Sequence, residues 1–216
     1  MINTAHMLEK RPKQPPALVG FQDVNRYWDQ RMNLWAAKIL PGELYVSLHG
    51  EMISTVLGSC ISACVRDVQK GIGGMNHFML PEPNEHSSDN WGTDNLTTRY
   101  GNWAMEALLN ELFKRGAKKQ HIEVKLFGGG QIIQNMTDIG ARNIAFARQY
   151  MAAEGFNVVA EDVGGQRPRK VLYFPDTGAV KVKRLNQVSN QTIFTRERNY
   201  AKHVNVDSTD GSVELF

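Results

Sequence analysis

Apolar residues recur along this chain with two periods, and each change of period marks a change of element. Between Glu43 and Leu57, Tyr45, Val46, Met52, Ile53 and Val56 form an extended pattern. Met105, Leu108, Leu109 and Leu112 repeat at i, i+3, i+4 and i+7, which predicts a helix over Arg99–Arg115 stopped by Gly116. Ile122, Val124 and Leu126 then alternate with His121, Glu123 and Lys125, the pattern of a half-buried strand. A second helix is expected over Ile139–Glu154, with Asp138 as its cap and Gly155 as its end. Short strands follow over Phe156–Val163, Lys170–Phe174 and Ala179–Leu185. Near the start, Phe21, Val24, Trp28, Met32 and Trp35 fall at helical spacing and predict an amphipathic helix. The polar run Glu82–Thr98 reads as a long surface loop. Strands outnumber helices, so the chain divides into an N-terminal extension (1–40), an α/β domain (41–185) and a loosely attached C-terminal tail (186–216).

Composition narrows the class. A chain of 216 residues with 42% hydrophobic content can fill one core. No apolar run reaches the length of a signal peptide or a membrane span, so the expected location is the cytoplasm, without membrane insertion. A net charge of +3 gives no support to nucleic-acid binding. The basic residues Arg167, Arg169, Lys170, Lys181, Lys183 and Arg184 read as a solvated face, with a dock for an acidic partner as the alternative. Cys60 and Cys64 are expected to be thiols in a reducing compartment, too far apart on one strand to bridge.

The candidate chemistry lies between Ser54 and Pro81. Leu57-Gly58-Ser59-Cys60 is followed, across a polar turn, by Gly73-Gly74-Met75-Asn76-His77-Phe78-Met79-Leu80-Pro81. A hairpin turning between Val68 and Gln69 pairs Asp67 with Lys70, Cys64 with Gly73, Ser62 with Met75 and Cys60 with His77. Directly opposed residues hold their Cβ atoms about 4.5–5.5 Å apart, which brings a thiol within reach of an imidazole. A lone cysteine is usually a packed core residue and a lone histidine a hydrogen-bonded one; the pair gives each its weight. Ser54 and Thr55 offer hydroxyls to orient the imidazole, and backbone N–H groups from Gly58 to Ile61 are placed to receive an oxyanion. Such a pair attacks an amide carbonyl, with deamidation or proteolysis as the outcome. Cys64 reads as strand packing, and the set Cys60, Cys64, His77 and His86 lacks zinc-knuckle spacing, so neither metal nor cofactor is expected. Gly128-Gly129-Gly130 lacks a phosphate-loop ending and is better explained by close backbone packing.

These blocks resemble the bacterial chemoreceptor glutamine deamidases, the CheD family. The likeness rests on Thr55-Val56-Leu57-Gly58-Ser59-Cys60, the Gly73–Pro81 block, Thr98-Arg99-Tyr100-Gly101 with Ala104-Met105, and Lys125-Leu126-Phe127-Gly128-Gly129-Gly130. It implies an α/β layered sandwich of mostly antiparallel or mixed sheet flanked by helices, similar to deamidating toxin domains. It also implies a cysteine hydrolase converting receptor glutamines to glutamates, with Cys60 as nucleophile and His77 as base. The implied partners are the cytoplasmic domains of methyl-accepting chemotaxis receptors and, for some members, a CheC-type phosphatase. A regulatory binding module with little catalysis is the rival reading. The family's third residue is a threonine six positions before the cysteine; Ser54 stands there, with Thr55 one later. On that count Ser54→Ala is expected to do more damage than Thr55→Ala.

Overall fold

The computed structural model describes residues 11–80, 96–132, 139–186, 192–193 and 195–200, with 96–99 described for their backbone only. Ten strands form two five-stranded sheets. The first has the order β1 (Asn25–Asp29), β2 (Leu34–Lys38), β4 (Met52–Leu57), β9 (Arg169–Phe174), β10 (Ala179–Arg184). The second has the order β3 (Leu44–Ser47), β6 (Ile72–Asn76), β5 (Ile61–Asp67), β7 (Ile122–Gly128), β8 (Asn157–Val163). Both sheets are mixed: β2–β4 and β7–β8 are parallel, the other pairs antiparallel. Helices α1 (Leu96–Lys114) and α2 (Ile139–Ala153) pack on the second sheet. The strands and helices expected beyond residue 41 are present with nearly the expected bounds.

Strand β6 shows the order of layers. A Cβ on Gly73 would come within 3.0 Å of the Tyr173 hydroxyl in the first sheet, whereas one on Gly74 would come within 2.7 Å of Leu108 in α1. Successive side-chain positions point to opposite faces, so the second sheet is the middle layer of three. That is why every residue of β5 except Arg66 is buried and the strand carries no exposed polar face.

Two expectations change. The apolar spacing at Trp28, Met32 and Trp35 belongs to a β-hairpin, not a helix: β1 and β2 pair, and Trp28 stacks edge-on against Trp35. The Asp29 carboxylate accepts from the N–H groups of Arg31 and Met32, and Asn33 takes φ 52° to close the turn, a conformation asparagine tolerates. This hairpin is the edge of the first sheet, and Arg26 binds the buried Glu51 at 2.6 Å, so the expected extension supplies two strands.

The second change is register. Cys64 faces Met75 and Asp67 faces Ile72, two residues from the expected pairing. The turn is longer because the Asp67 carboxylate accepts from the N–H groups of Gln69 and Lys70, and Gly71, at φ 66°, donates its N–H to the Asp67 carbonyl. A slip of two leaves every side chain on its expected face. The loop expected at Glu82–Thr98 lies outside the described residues up to 95, and its last three residues, 96–98, belong to the first turn of α1 instead; His86, Asp138 and most of the tail also lie outside the described residues.

Gly74→Ala should destabilise the fold by about 1–3 kcal/mol. Its Cβ would lie 2.7 Å from both Leu108 and the Tyr45 carbonyl, and backbone cannot retreat. A lower urea midpoint with unchanged slope is the expected result.

Candidate active site

The site forms where the chain leaves the first sheet at Leu57 and enters the second at Ile61. Gly58, Ser59 and Cys60 span that crossing, and their peptide planes are fixed from behind. Gly130 N–H donates to the Gly58 carbonyl at 2.7 Å, Asn143 Nδ2 to the Ser59 carbonyl at 2.8 Å, and Gly129 N–H to the Cys60 carbonyl at 2.7 Å. The triple glycine thus serves close backbone approach, as expected: a Cβ on Gly128 would collide with the Cys60 carbonyl, and one on Gly130 would lie 2.9 Å from that of Gly58. Asn143 also accepts from Leu80 N–H at 2.9 Å and locks both ends of the hairpin to α2.

With the carbonyls held, the amides of 58–60 face the other way. Gly58 N–H donates to Glu197 Oε1 at 2.7 Å and Cys60 N–H to the same oxygen at 3.4 Å. Ser59 N–H and Ser59 Oγ donate to Glu197 Oε2 at 2.9 and 2.7 Å. Ile61 N–H does not join them, because it is bonded to the Phe78 carbonyl. Glu197 is 4% exposed although it lies in the stretch expected as a loose tail. Nothing local signals it, since its partners are some 137–139 positions away.

Cys60 and His77 are both buried and meet at these donors. The Cys60 sulfur, a His77 ring nitrogen and a Glu197 oxygen lie within 4.8 Å of one another. The Ile61–Phe78 bridge sets Cys60 diagonal to His77 on one face of the hairpin instead of directly opposite. The His77 backbone is clamped by Glu43 and Gly42, through bonds of 2.9 and 2.7 Å.

Thr55, not Ser54, orients the imidazole. Along β4, Thr55 points between the sheets, while Ser54 points to the far face, beside Tyr27 and the Ala37 carbonyl. Thr55 Oγ1 donates its one proton to the Ile39 carbonyl at 2.9 Å, so its 2.8 Å contact with His77 Nδ1 must accept an N–H. Proton on Nδ1 leaves Nε2 as a bare lone pair, and Nε2 is buried without a partner among the described residues. A histidine in that tautomer can take a proton at Nε2.

Electrostatics hold the pair neutral. Burial pushes the Cys60 thiol up, and the Glu197 carboxylate, which the thiol also contacts, pushes it further. Burial, with Arg196 adding to it, pushes His77 down to about 3. Cys60, His77 and Glu197 offer sulfur, nitrogen and oxygen donors of the kinds zinc accepts. Glu197's oxygens are engaged by N–H and O–H donors, however, which makes this a site for an acceptor oxygen more than for a cation. Cys64 is a buried packing residue and a free thiol, as expected. Arg169, read as part of a solvated face, is 1% exposed and bound to Asp162 and the Gly164 carbonyl.

Known proteins resemble this chain over most of its length. A relative from Halorhodospira halophila is 49% identical over 206 residues, covering 94% of each chain. Another from Hahella chejuensis is 47% identical over 211 residues, 96% of this chain and 98% of its own. A third, from Hydrogenovibrio crunogenus, is 50% identical over 179 residues, 83% of this chain and 93% of its own. The chain belongs to the CheD family. Each relative carries the name "Probable chemoreceptor glutamine deamidase CheD". The family model, described as CheD chemotactic sensory transduction, matches residues 79–184, starting two positions after His77. Among the described residues no helix is long and apolar enough to cross a membrane.

Two outcomes test the site. Thr55→Ala strands the Ile39 carbonyl and His77 Nδ1, and should cost about 1–3 kcal/mol in urea unfolding. Ser54→Ala should cost less, reversing the ranking expected from position alone. Acid should also weaken the fold through His77. The unfolded imidazole binds a proton below about pH 6.5, while the folded one stays neutral down to about 3. His77's contribution is complete above the unfolded value and falls towards pH 3 by about 1.4 kcal/mol per pH unit. His77→Asn should lose that slope.

Proposed function

We propose that this CheD-family chain deamidates glutamine side chains of methyl-accepting chemotaxis receptors, acting on their cytoplasmic domains from the cytoplasm. One observation carries the chemistry: a thiol and a ring nitrogen of His77, whose Nε2 keeps its lone pair, stand together at backbone amides whose carbonyls are tied back. The roughly half-identical relatives named for receptor glutamine deamidation support the substrate.

The reaction needs four moves. His77 Nε2 takes the Cys60 proton as sulfur bonds to the glutamine Cδ. The resulting oxyanion sits against the amides of Gly58 and Cys60, already oriented for it. His77 returns the proton to the departing nitrogen, the C–N bond breaks, and ammonia leaves a thioester. Water, deprotonated by His77, adds to the thioester; the C–S bond breaks, the thiol is restored and a glutamate remains. Thr55 positions the imidazole throughout. Family resemblance adds a CheC-type phosphatase as a regulatory partner.

Mass spectrometry of a receptor cytoplasmic fragment, incubated with and without the protein, tests this reading. Wild type should convert specific glutamines to glutamates and release ammonia. Cys60→Ala should abolish conversion, and His77→Ala should slow it by about 10²–10⁴-fold. Folded variants that retain wild-type conversion would remove both residues from the mechanism.

A further inference from the structure

Glu197 has the same chain length as the side chain that glutamine deamidation would produce, and its carboxylate lies where an oxyanion would lie. Its segment is helical over 195–200, and Ile193, Glu197 and Tyr200, four and three positions apart, define one face. Ile193 is buried, and Tyr200 meets Tyr100 of α1 and lies against Gly42, whose N–H holds the His77 carbonyl. A carboxylate at the centre of a packed helical face is costly unless donors await it. Here three backbone amides and the Ser59 hydroxyl do. The catalytic thiol contacts the same carboxylate.

A purely structural cap on the crossing loop would explain the hydrogen bonds alone. It would not require the acceptor to stand beside both sulfur and imidazole, within 4.8 Å of each. It would also not require an acid in place of an amide. A carboxylate presents two acceptor oxygens to these donors, whereas a carboxamide presents one acceptor and turns an N–H₂ towards Ser59 N–H.

We propose that the helical segment 195–200 forms an intramolecular product mimic: Glu197 occupies the acyl site of the free protein, and a substrate glutamine must displace it. This rests on the deamidase reading and adds a built-in brake to it. It also means that the carboxamide introduced by Glu197→Gln would be a substrate in cis. Cys60 sulfur would bond to Cδ of that carboxamide, His77 would protonate the leaving nitrogen, and ammonia would depart. Water would then cleave the thioester and leave glutamate at 197 with the thiol restored.

The experiment uses the full chain and two variants. Iodoacetamide labelling of Cys60, followed by peptide mapping with Cys64 as an internal reference, reads occupancy of the site without any receptor. If Glu197 fills the site nine-tenths of the time, Glu197→Ala should label about tenfold faster, and its KM for a receptor fragment should fall. Equal labelling of folded wild type and Glu197→Ala would overturn the proposal, whether or not the receptor is deamidated. Glu197→Gln should be recovered with glutamate at 197, and the double variant with Cys60→Ala should retain glutamine. Persistence of the introduced glutamine in a Glu197→Gln protein that does deamidate receptors would overturn the product register and leave the proposed function intact. Failure of wild type to convert receptors, with Cys60 still released by Glu197→Ala, would count against the function and for the brake.

Discussion

Everything at the site follows from a crossing between sheets. On an interior strand the backbone N–H groups find partners on the neighbouring strands, but a segment passing from one sheet to another belongs to no ladder. Gly58, Ser59 and Cys60 are that segment, and their N–H groups would be buried orphans without an acceptor brought to them. The fold settles half of each peptide by binding the three carbonyls from behind, through Gly129, Gly130 and Asn143. The amides therefore converge on one point, and that convergence exists before any substrate arrives. Preorganised donors of this kind need no rearrangement when negative charge develops.

The two sheets divide the remaining work. The first supplies Thr55 and, through β2 and the residues after it, the Ile39 carbonyl that takes the threonine proton. The second supplies Cys60 at the entry to β5 and His77 just after β6. The imidazole is thus held by the sheet it does not belong to, and its tautomer depends on the two sheets staying face to face. Tyr173 and Gly73 meet across that interface, where a Cβ on Gly73 would come within 3.0 Å of the Tyr173 hydroxyl, so their contact limits the distance between layers.

The hairpin shows why the central pair was legible from sequence although its register was not. Periodicity and the glycine block locate β5 and β6, but the turn is decided by the Asp67 carboxylate and Gly71, which lengthen it beyond two residues. The resulting slip is even, so Cys60 and His77 keep their common face. An odd slip would have separated them. Ser54 and Thr55 could not be ranked by counting back from the cysteine, because alternation along β4 decides which hydroxyl faces inward. Asn143 and Glu197 were invisible for a different reason: each acts on a backbone far away in sequence, and neither lies in a motif. The N-terminal hairpin misled because aromatic residues flanking a turn of Asp29 to Asn33 happen to fall at helical intervals.

The charges in the resting site oppose the proton transfer that its geometry invites. A sulfur beside a carboxylate in a buried pocket keeps its proton, and an imidazole buried near Arg196 declines a second one. Replacing the Glu197 carboxylate with a neutral glutamine amide removes a negative charge from beside the sulfur, which lowers the cost of the thiolate at the moment a substrate is in place. Turning that amide into an acid restores the charge and raises the thiol again. On this account the substrate takes part in activating its own nucleophile, and the product helps to switch it off. The same amides and the same single charge would then govern both the reaction and its restraint.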